Sequence, residues 1–415
     1  MRTDSRSRNA GTTFRSTSYH RAVTAHRRDW DLIVVGLGAL GSAAAYWAST
    51  RPGVRVLGLE RFELGHANGA SADHSRIIRL SYHRRDYVRL ARRAYASWTE
   101  VEAEADERIV TVTGGLDLWP ADPAIPMADY TDSLAAEGVP FERLDAAEVM
   151  RRWPQWRLTD DVTALWQSQG GIADPYRGNA AHRRLAVERG ATLADRTPVT
   201  AIRAVDGAYA VDAGGVTHTA GRVIVTADAW TNEPLASFGR RLPLTVTKEQ
   251  VTYFACPDPA AFAPDRFPVW IWMDEPSFYG FPTYGEAGPK AAQDCGGEVV
   301  DPDTRTFDRD EAAFARVTEF LAARLPGALG PPILTRTCLY TLTPDRDFVV
   351  DRLPEAPGVI VGLGAGHGFK YASVLGRVLV ELALDGASPS DGDLGAFAID
   401  RPILLDEAPE TSWMI

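Results

Sequence analysis

The chain has 415 residues, of which 45% are hydrophobic and 24% charged, which is ordinary for a globular enzyme of two or three domains. Its formal net charge of −11 argues against a nucleic-acid partner, and no apolar run approaches the roughly eighteen residues of a membrane span, so we expect neither a nucleic-acid nor a membrane partner. Three scattered cysteines are too few for a disulfide framework or a zinc cluster, which favours a reducing compartment, the cytoplasm.

Residues 1–28 differ in composition from the rest of the chain. They hold seven arginines, many Ser and Thr residues and a single acid, Asp4, as a transit peptide does, and Arg27 and Arg28 resemble a twin-arginine signal. The apolar stretch that follows is the first predicted strand, and cleavage there would remove it. We therefore expect a disordered N-terminal extension or an over-long start.

A glycine-rich turn follows the strand predicted at 31–35. Its glycines fit the G-x-G-x-x-G/A spacing, which provides a tight turn, a close backbone approach to a pyrophosphate and close helix–strand packing; they are Gly36, Gly38 and Gly41. A second apolar run ends in Glu60, whose carboxylate can accept hydrogen bonds from a ribose diol. Together these features predict a dinucleotide site, and NAD and FAD remain equally open because they share this cradle.

Downstream, the spacing of apolar residues predicts helices alternating with short strands. Helical spacing is found at 84–104, 127–138, 174–190 and 309–325. Strands are predicted at 199–202, 209–212, 222–226, 246–254, 336–341 and 348–351, and a last strand, turn and helix begin at 359. Nucleotide-type elements therefore occur at the start, middle and end of the chain, which indicates two interleaved domains.

Four separated segments carry further motifs. They are 36–41, 73–79 (Asp-His-Ser-Arg-Ile-Ile-Arg), 279–290 (beginning Tyr-Gly-Phe-Pro and ending in Lys), and 338–351 with 364–370. The most specific are Cys-x-Tyr-Thr-x-Thr-x-Asp and Gly-His-Gly-Phe-Lys. In order and spacing, over nearly all of residues 29–400, these segments resemble the sarcosine oxidase and N-methyltryptophan oxidase family of FAD-dependent amine oxidases, within the D-amino-acid-oxidase fold.

The resemblance implies an α/β (mixed α+β) fold in which a Rossmann-like FAD-binding domain is interleaved with a strand-rich substrate-binding domain. We assign the FAD-binding domain to 29–113, 166–241 and 335–400, the substrate domain to 114–165 and 242–334, and a C-terminal tail to 401–415. FAD-binding residues expected from the resemblance are Gly36, Gly38, Gly41, Glu60, Arg61, Ser75, Arg76, Val199, Cys338, Gly364, Gly366, His367, Gly368 and Lys370. Catalytic residues expected from it are Arg76, Arg79, Tyr279, Lys290, Asp294 and Lys370.

Arg76 and Arg79 are three residues apart, so on a helical turn their guanidinium groups would share a face. One can then lie against a flavin ring while the other reaches a substrate carboxylate, for which a planar fork of donors is well matched. Without context, a pair of surface arginines is the simpler interpretation. The resemblance places Arg76 against the isoalloxazine ring and Arg79 in the substrate pocket.

Cys338 lies in a strand-like run, where a single cysteine usually acts as a small buried hydrophobe. By the resemblance it matches the cysteine that forms a thioether to the flavin 8α-methyl, a reaction that requires the thiolate. The resemblance implies covalent FAD. Cys256 and Cys295 match no such position and are expected to be structural.

Two lysines acquire roles from the resemblance. Lys290 would otherwise be a solvated loop residue, but it aligns with a lysine near flavin N5 that promotes the reaction with O2, where a fixed cation stabilises developing negative charge. Lys370 corresponds to a second cation on the substrate carboxylate, and Tyr279 corresponds to a tyrosine that lines the pocket.

The chain departs from the family at three positions. Asp294 and Ala72 replace histidines, and Asp228 stands where the family usually has glycine. An acid in the pocket at Asp294 would favour a more cationic or more polar amine than sarcosine.

The expected reaction is hydride transfer from the carbon next to the amine of a small amino or imino acid to flavin N5, giving an imine, with O2 then reduced to H2O2. The substrate amine is secondary (N-methyl or cyclic) or primary, and we expect a monomer. Two alternatives stay open: a dehydrogenase that uses another electron acceptor, and a non-catalytic FAD-binding subunit.

Overall fold

The computed structural model describes residue 1 and residues 28–389 and 391–412. The predicted extension therefore lies outside the described residues except at its two ends, as do the last three residues of the predicted tail. The strands of the described chain are β1 Trp30–Val35, β2 Val56–Leu59, β3 Arg76–Ile78, β4 Val110–Val112, β5 Gly115–Trp119, β6 Glu142–Asp145, β7 Thr163–Gln167, β8 Gly171–Ala173, β9 Thr192–Ala194, β10 Val199–Val205, β11 Ala208–Ala213, β12 Val216–Val225, β13 Thr245–Phe254, β14 Val269–Trp272, β15 Phe278–Phe281, β16 Lys290–Gln293, β17 Glu298–Val299, β18 Pro332–Leu342, β19 Val349–Leu353 and β20 Ala356–Leu363.

The helices are α1 Ala39–Ser49, α2 Arg85–Ala105, α3 Met127–Ala136, α4 Ala146–Arg152, α5 Pro175–Glu188, α6 Asn232–Ala236, α7 Glu311–Arg324, α8 Ala372–Leu384, α9 Asp391–Leu394 and α10 Pro402–Leu405. The four helices predicted from apolar spacing correspond to α2, α3, α5 and α7, and the mixed α/β class is confirmed. Within the described residues, no helix combines the length and the apolarity needed to cross a membrane.

The first sheet has the order β10-β11-β12-β1-β2-β9, with β20 beside the second half of β12 and β19 on the outer side of β20. Its centre is parallel, because β9, β2, β1, β12 and β20 run in the same direction. Helix α1 packs against α5 and α8 on one face. The carboxyl ends of the central strands therefore meet at one edge, where open α/β sheets bind their ligands.

The second sheet has the order β17-β13-β16-β15-β14-β5-β7-β6, with β18 on the other edge of β13. Its pairings are antiparallel except for β14 with β5. An aromatic-rich core lies beneath it, containing Trp156, Trp270 and Phe254 together with apolar residues of α4 and α7. The boundary predicted at 335 falls within β18, which bonds to β13 along its length and so belongs to the second sheet.

The segment of Arg76 and Arg79 is a strand and not the predicted helical turn, so the expected shared helical face is wrong. The β-branched pair Ile77 and Ile78 favours an extended backbone, and β3 forms an antiparallel ladder with β8, whose other edge carries β4. Arg76 begins this strand and Arg79 follows it directly. The two side chains nevertheless reach the same cavity, described below.

Candidate active site

A cavity open to solvent, with about 1140 Å³ of space between its walls and mouth, lies where the carboxyl edge of the first sheet meets the second sheet. The first sheet contributes the ends of β12 and β20 and the start of α1, while β14, β15 and β18 of the second sheet form the opposite wall. The residues that line this larger cavity include Gly38, Arg76, Arg79, Tyr340, Arg346 and Lys370.

A second, smaller cavity of about 510 Å³ adjoins the first. The two share five lining residues, Gly38, Ala70, Ser71, Thr226 and Asp228, so they form one elongated cleft that passes the N-terminus of α1. The smaller cavity is lined by Gly36 and Glu60 at the ends of β1 and β2.

The glycine turn has no room for side chains. Gly36 has a φ of +86°, and a Cβ there would lie 2.6 Å from the carbonyl oxygen of Thr226. A Cβ on Gly41 would lie 1.8 Å from the carbonyl oxygen of Gly36, so Gly41 allows α1 to pack directly on the turn. The turn therefore presents backbone and no side chains to a ligand at the N-terminus of α1, where the N–H of Ala39 donates to Ser71 Oγ at 3.0 Å.

Glu60 is buried at the wall of the smaller cavity. Its two carboxylate oxygens accept hydrogen bonds from the backbone N–H groups of Leu37, at 2.8 Å, and Phe62, at 3.0 Å. The imidazole of His66 lies 3.3 Å away. Burial alone would raise the pKa of Glu60, but these three partners lower it, so the carboxylate stays ionised as a ribose acceptor must.

The last nucleotide-type turn follows β20 and borders the larger cavity. Gly366 has a φ of +79°, and a Cβ there would lie 2.9 Å from the ring of Tyr340. Its neighbour His367 bonds through Nε2 to the carbonyl oxygen of Arg346 at 3.0 Å. Burial, aided by nearby Lys370, lowers the pKa of His367 well below its ordinary value, so the imidazole is neutral. The turn therefore presents backbone atoms and the fixed, uncharged imidazole of His367 to the larger cavity.

Arg76 closes the loop that precedes β3. Its guanidinium donates to the carbonyl oxygens of Ser75, Ala70 and Ala72 at 2.8 to 2.9 Å and lies 3.7 Å from the Asp73 carboxylate. Because this charge fixes the loop and also lines the larger cavity, it presents a positioned cation to a ligand bound there.

Lys290 is almost fully buried next to that loop. Its Nζ donates to Asp73 Oδ2 at 2.9 Å and to the carbonyl oxygen of Ser75 at 2.8 Å. It lies 4.1 Å from the ring centroid of Phe281, which lines the larger cavity, whereas Lys290 is not among its described lining residues. Burial lowers the pKa of Lys290 to about 8, against the opposing effect of Asp73.

Cys338 is a free, partly exposed thiol on β18, opposite Glu249 of β13. Its neighbour two residues on, Tyr340, lines the larger cavity, but Cys338 is not among the described lining residues. Burial raises the pKa of Cys338 to about 11, and the nearby Arg76 acts in the opposite direction. The thiol form therefore predominates at neutral pH.

Three cations line the far end of the larger cavity: Arg79, Arg346 and Lys370. Arg79 donates to the buried Asp117 at 2.9 Å, and Asp117 also accepts from the hydroxyl of Ser81. Burial would lower the pKa of Arg79, but Asp117 raises it above its ordinary value, so Arg79 is charged and paired.

Arg346 forms a bidentate pair with Asp294, at 2.7 Å and 2.9 Å. Asp294 lines the larger cavity as expected, but Arg346 balances its charge, so it gives little reason to expect a more cationic amine. Sequence reasoning missed this arginine: the partners are 52 residues apart and come together only through the fold.

The ammonium of Lys370 makes no ion pair or hydrogen bond to any residue that the structure describes, although the backbone carbonyl of Lys370 accepts a hydrogen bond from Trp98 Nε1 at 2.9 Å. Its Nζ lies 5.8 Å from the ring centroid of Tyr82. Burial, with Arg79 and Arg346 nearby, lowers the pKa of Lys370 to about 7. A partly buried cation without a counter-ion is unfavourable, and an anionic ligand would supply the missing charge.

The chain matches the sequence profile of FAD dependent oxidoreductases over residues 31–382. It belongs to that family. It is 32% identical over 384 residues to a monomeric sarcosine oxidase of Arthrobacter sp. (strain TE1826), covering 91% of this chain and 98% of the relative. It is 31% identical over 379 residues to an N-methyl-L-tryptophan oxidase of Yersinia pestis (strain Pestoides F), covering 90% and 99%.

Among solved structures, NikD, an unusual amino acid oxidase essential for nikkomycin biosynthesis, matches in its open form with a TM-score of 0.79 and 26% identity, covering 90% of this chain and 98% of that one. The family settles the choice that the glycine motif left open, because its members use FAD. The elongated cleft fits that cofactor: it joins a cavity at the glycine turn and Glu60 to a larger one beside Arg76.

The structure brings most of the predicted site residues to this cleft. Those that line it are Gly36, Gly38, Glu60, Arg76, Arg79, Tyr279, Asp294, Gly364, Gly366, His367, Gly368 and Lys370. Gly41, Ser75, Lys290 and Cys338 lie in the layer behind or beside it. Ser75 contributes its carbonyl oxygen to Lys290 and Arg76.

Two predicted cofactor residues are directed elsewhere. Arg61 pairs with Glu233 at 3.0 Å and Asp303 at 3.1 Å and packs on the ring of Trp230. Val199 begins β10 and packs in the core beneath the first sheet. Neither side chain is among the described lining residues of either cavity.

Asp228 is a cleft residue whose role the sequence did not predict. It has a φ of +47°, the left-handed region that favours glycine, which accounts for the glycine usual there in the family. It lines both cavities, and burial raises its pKa to about 6. The sequence signal that could have indicated this residue is the aspartate at a position where the family usually has glycine.

Proposed function

We propose that the protein is an FAD-dependent oxidase of a small amino or imino acid with one carboxylate, and the observation that carries the proposal is the unpaired Lys370. At the far end of the cavity Arg79 pairs with Asp117 and Arg346 pairs with Asp294, whereas the ammonium of Lys370 has no ion pair among the residues that the structure describes. A monocarboxylate would balance it. The named relatives act on sarcosine and N-methyl-L-tryptophan, which are N-methylated amino acids with a single carboxylate.

Lys370 and Arg79 have complementary parts in holding that carboxylate. Lys370 offers a free ammonium, whereas Arg79 is already fixed by Asp117 and presents only the donors that this pair leaves. A rigid second cation adds orientation to the charge that Lys370 provides. Together they would hold the amino acid by its acid group so that the neighbouring C–H bond has one direction in the cavity.

The side walls of the cavity are tyrosine-rich. The hydroxyls of Tyr279 and Tyr340 lie 3.4 Å apart, and both side chains line the space with Ile271. Burial raises the pKa of both tyrosines well above 10, so they remain neutral and cannot act as bases near pH 7. We therefore propose that the substrate amine binds unprotonated.

Bound FAD would accept a hydride from the carbon next to the amine, leaving an imine after loss of the N–H proton, and would return both electrons to O2 as H2O2. We assign Lys290 to the O2 step, since it is a buried cation behind the cavity wall. It makes no contact with the cations at the far end of the cavity, which we assign to the substrate carboxylate. We further propose covalent attachment of FAD through Cys338. We also propose a monomeric protein, since the named sarcosine oxidase is called monomeric.

A flavin dehydrogenase and a non-catalytic FAD-binding subunit are the competing functions. The first would be reduced by substrate but would not consume O2, and the second would not be reduced at all. The unpaired Lys370 opposes the second, because an inert subunit gains nothing from a cation that lines the cavity without a counter-ion.

The deciding test is anaerobic bleaching of the flavin absorption band, at about 450 nm. The compounds tested are N-methyl, cyclic and primary amino acids, and each is compared with its decarboxylated amine. The proposal predicts bleaching by at least one amino acid, little or none by its matched amine, and O2 consumption with H2O2 formation on admitting air. Equal bleaching by the matched amines, or no bleaching by any amino acid, would contradict it.

A further inference from the structure

Asp73 and Lys290 form a buried ion pair behind the cavity. The two side chains are 6% and 1% exposed, and Lys290 Nζ lies 2.9 Å from Asp73 Oδ2. The other carboxylate oxygen, Oδ1, accepts a hydrogen bond from the hydroxyl of Tyr253 at 2.7 Å. Lys290 belongs to the second sheet and Asp73 to the loop before β3, so the pair ties the two together.

The backbone of Asp73 is unusual for an aspartate. Its φ is +91°, a region in which glycine is at ease and any residue with a Cβ is strained. A strained residue persists when its side chain makes contacts that outweigh the strain. Here those contacts are with Lys290 and Tyr253, which points to the carboxylate as the reason that glycine is not used.

Hydrogen-bond counting shows why the protonation of Lys290 matters. An ammonium has three N–H donors, and Asp73 and the carbonyl oxygen of Ser75 take two of them. The third donor is left for a water or a ligand. A neutral amine in the same place would have a lone pair there, so it could accept a hydrogen bond but could not stabilise negative charge.

The charges around Lys290 come from several elements. Asp73 favours its ammonium form, whereas Arg76, the first residue of β3, opposes it. Arg336 of β18 lies 3.8 Å from the carboxylate of Asp73, and Cys338 of the same strand is a predominantly neutral thiol. The carboxylate is thus the fixed negative group in a cationic environment, and Lys290 and Arg76 hold the pKa of Asp73 well below its usual value despite its burial.

We propose that Asp73 is a positioning residue that keeps Lys290 protonated and directs its third N–H toward the O2 step. This inference rests on the proposed function, which assigns Lys290 to that step. There, O2 takes two electrons and one proton from the reduced cofactor and a second proton from solvent, giving H2O2. Lys290 supplies charge only and ends the step unchanged, and Asp73 acts through Lys290 without touching oxygen.

Two variants test the role of Asp73. Asp73→Asn keeps the hydrogen-bond acceptor and tolerates a left-handed backbone but removes the charge. Asp73→Gly removes the side chain and also relieves the backbone strain at φ +91°, so its effects are not due to misfolding of this loop. Glu298→Gln is the matched control, because Glu298 pairs at 2.6 Å with another buried lysine of the same sheet, Lys248, away from the cavity. Lys290→Met reports whether Lys290 acts at all.

Stopped-flow reoxidation of the reduced holoenzyme by O2 is followed across pH, and substrate reduction is followed separately. Both Asp73 variants are expected to move the pH midpoint of reoxidation down by about 1–3 units, the usual effect of losing an opposite charge at this distance, and to leave substrate reduction unchanged. Glu298→Gln should keep the midpoint of the parent.

A second readout needs no turnover. A pH titration of the oxidised flavin absorbance in the resting holoenzyme should show a transition that is absent in Lys290→Met and shifted down in Asp73→Asn. Unshifted midpoints in both Asp73 variants would overturn the inference while leaving the O2 role of Lys290 intact. If Lys290→Met reoxidises like the parent, the O2 assignment fails first. Loss of FAD from both Asp73 variants would also overturn the inference, since Asp73 would then build the site itself.

Discussion

Arg346 and Asp294 form a bidentate ion pair at the wall of the larger cavity, with one residue in the turn between β18 and β19 and the other directly after β16. The guanidinium is 2% exposed and Asp294 is 23% exposed, so the pair faces the cavity from the acidic side. It neutralises the acid that replaces a family histidine. In the proposed function, the cavity therefore selects its ligands through the ammonium of Lys370 and not through a free carboxylate.

Breaking this pair is expected to destabilise the protein. Asp294→Asn removes the carboxylate that pairs with the buried Arg346, a change that typically costs about 3–5 kcal/mol. Replacing both residues, as Asp294→Asn with Arg346→Met, should cost less than the single change, because no buried charge is left. Denaturant unfolding of Asp294→Asn, Arg346→Met, the double variant and the parent measures this. A double variant that loses the sum of both single effects would show that the residues are not coupled.

The carboxylate site is tested by binding of an amine-free monocarboxylate inhibitor, followed by the change in flavin absorbance. Lys370→Met should weaken binding by roughly ten- to a hundredfold, because a charge-assisted contact to a carboxylate contributes about 1.5–3 kcal/mol. Lys248→Met is the matched control: it removes another buried lysine, which is paired with Glu298 outside the cavity. Equal affinity in Lys370→Met and the parent would refute the carboxylate site.

The local parts of this architecture could be predicted from the sequence, and the ion pairs could not. The turn at Gly36 can be predicted because the strand, the glycines and the helix are consecutive in the sequence, and steric contacts within the turn exclude side chains. Asp73 with Lys290 and Arg79 with Asp117 are separated by 217 and 38 residues, so only the packing of the β3 segment against the second sheet reveals them. The helical interpretation of Arg76 failed because pairing of β3 with β8 determines that segment.

The affinity for the same inhibitor is expected to depend on pH through Lys370. Its pKa in the free protein is about 7, lowered by burial and by Arg79 and Arg346, and the carboxylate needs the ammonium form. As pH rises above 7, affinity should therefore fall by about tenfold per unit, until the pKa of Lys370 in the complex is reached. Inhibitor titrations over roughly pH 6 to 9 measure how steeply the affinity falls with pH. In Lys370→Met this pH dependence should disappear, and a parent profile that stays flat would contradict the assignment.

Covalent attachment is expected to require help for the Cys338 thiol. Because its pKa is about 11, the thiolate fraction near neutral pH is small and rises about tenfold per pH unit, so FAD should attach to the apoprotein faster at higher pH. Arg76 opposes the effect of burial on this pKa, and Arg76→Met should therefore slow attachment more than it weakens FAD binding. Flavin that stays with acid-precipitated protein, sampled over time, measures the rate.

Cysteine variants separate attachment from binding. Cys338→Ser should bind FAD yet release all of it in acid, whereas Cys295→Ser, which alters another cysteine that is only partly buried, should retain the flavin as the parent does. The contrast isolates the thiol because a serine hydroxyl fills nearly the same space but does not form the thiolate nucleophile that the thioether requires. If acid releases all the flavin from the parent as well, the thioether is absent and FAD is held by the cleft alone.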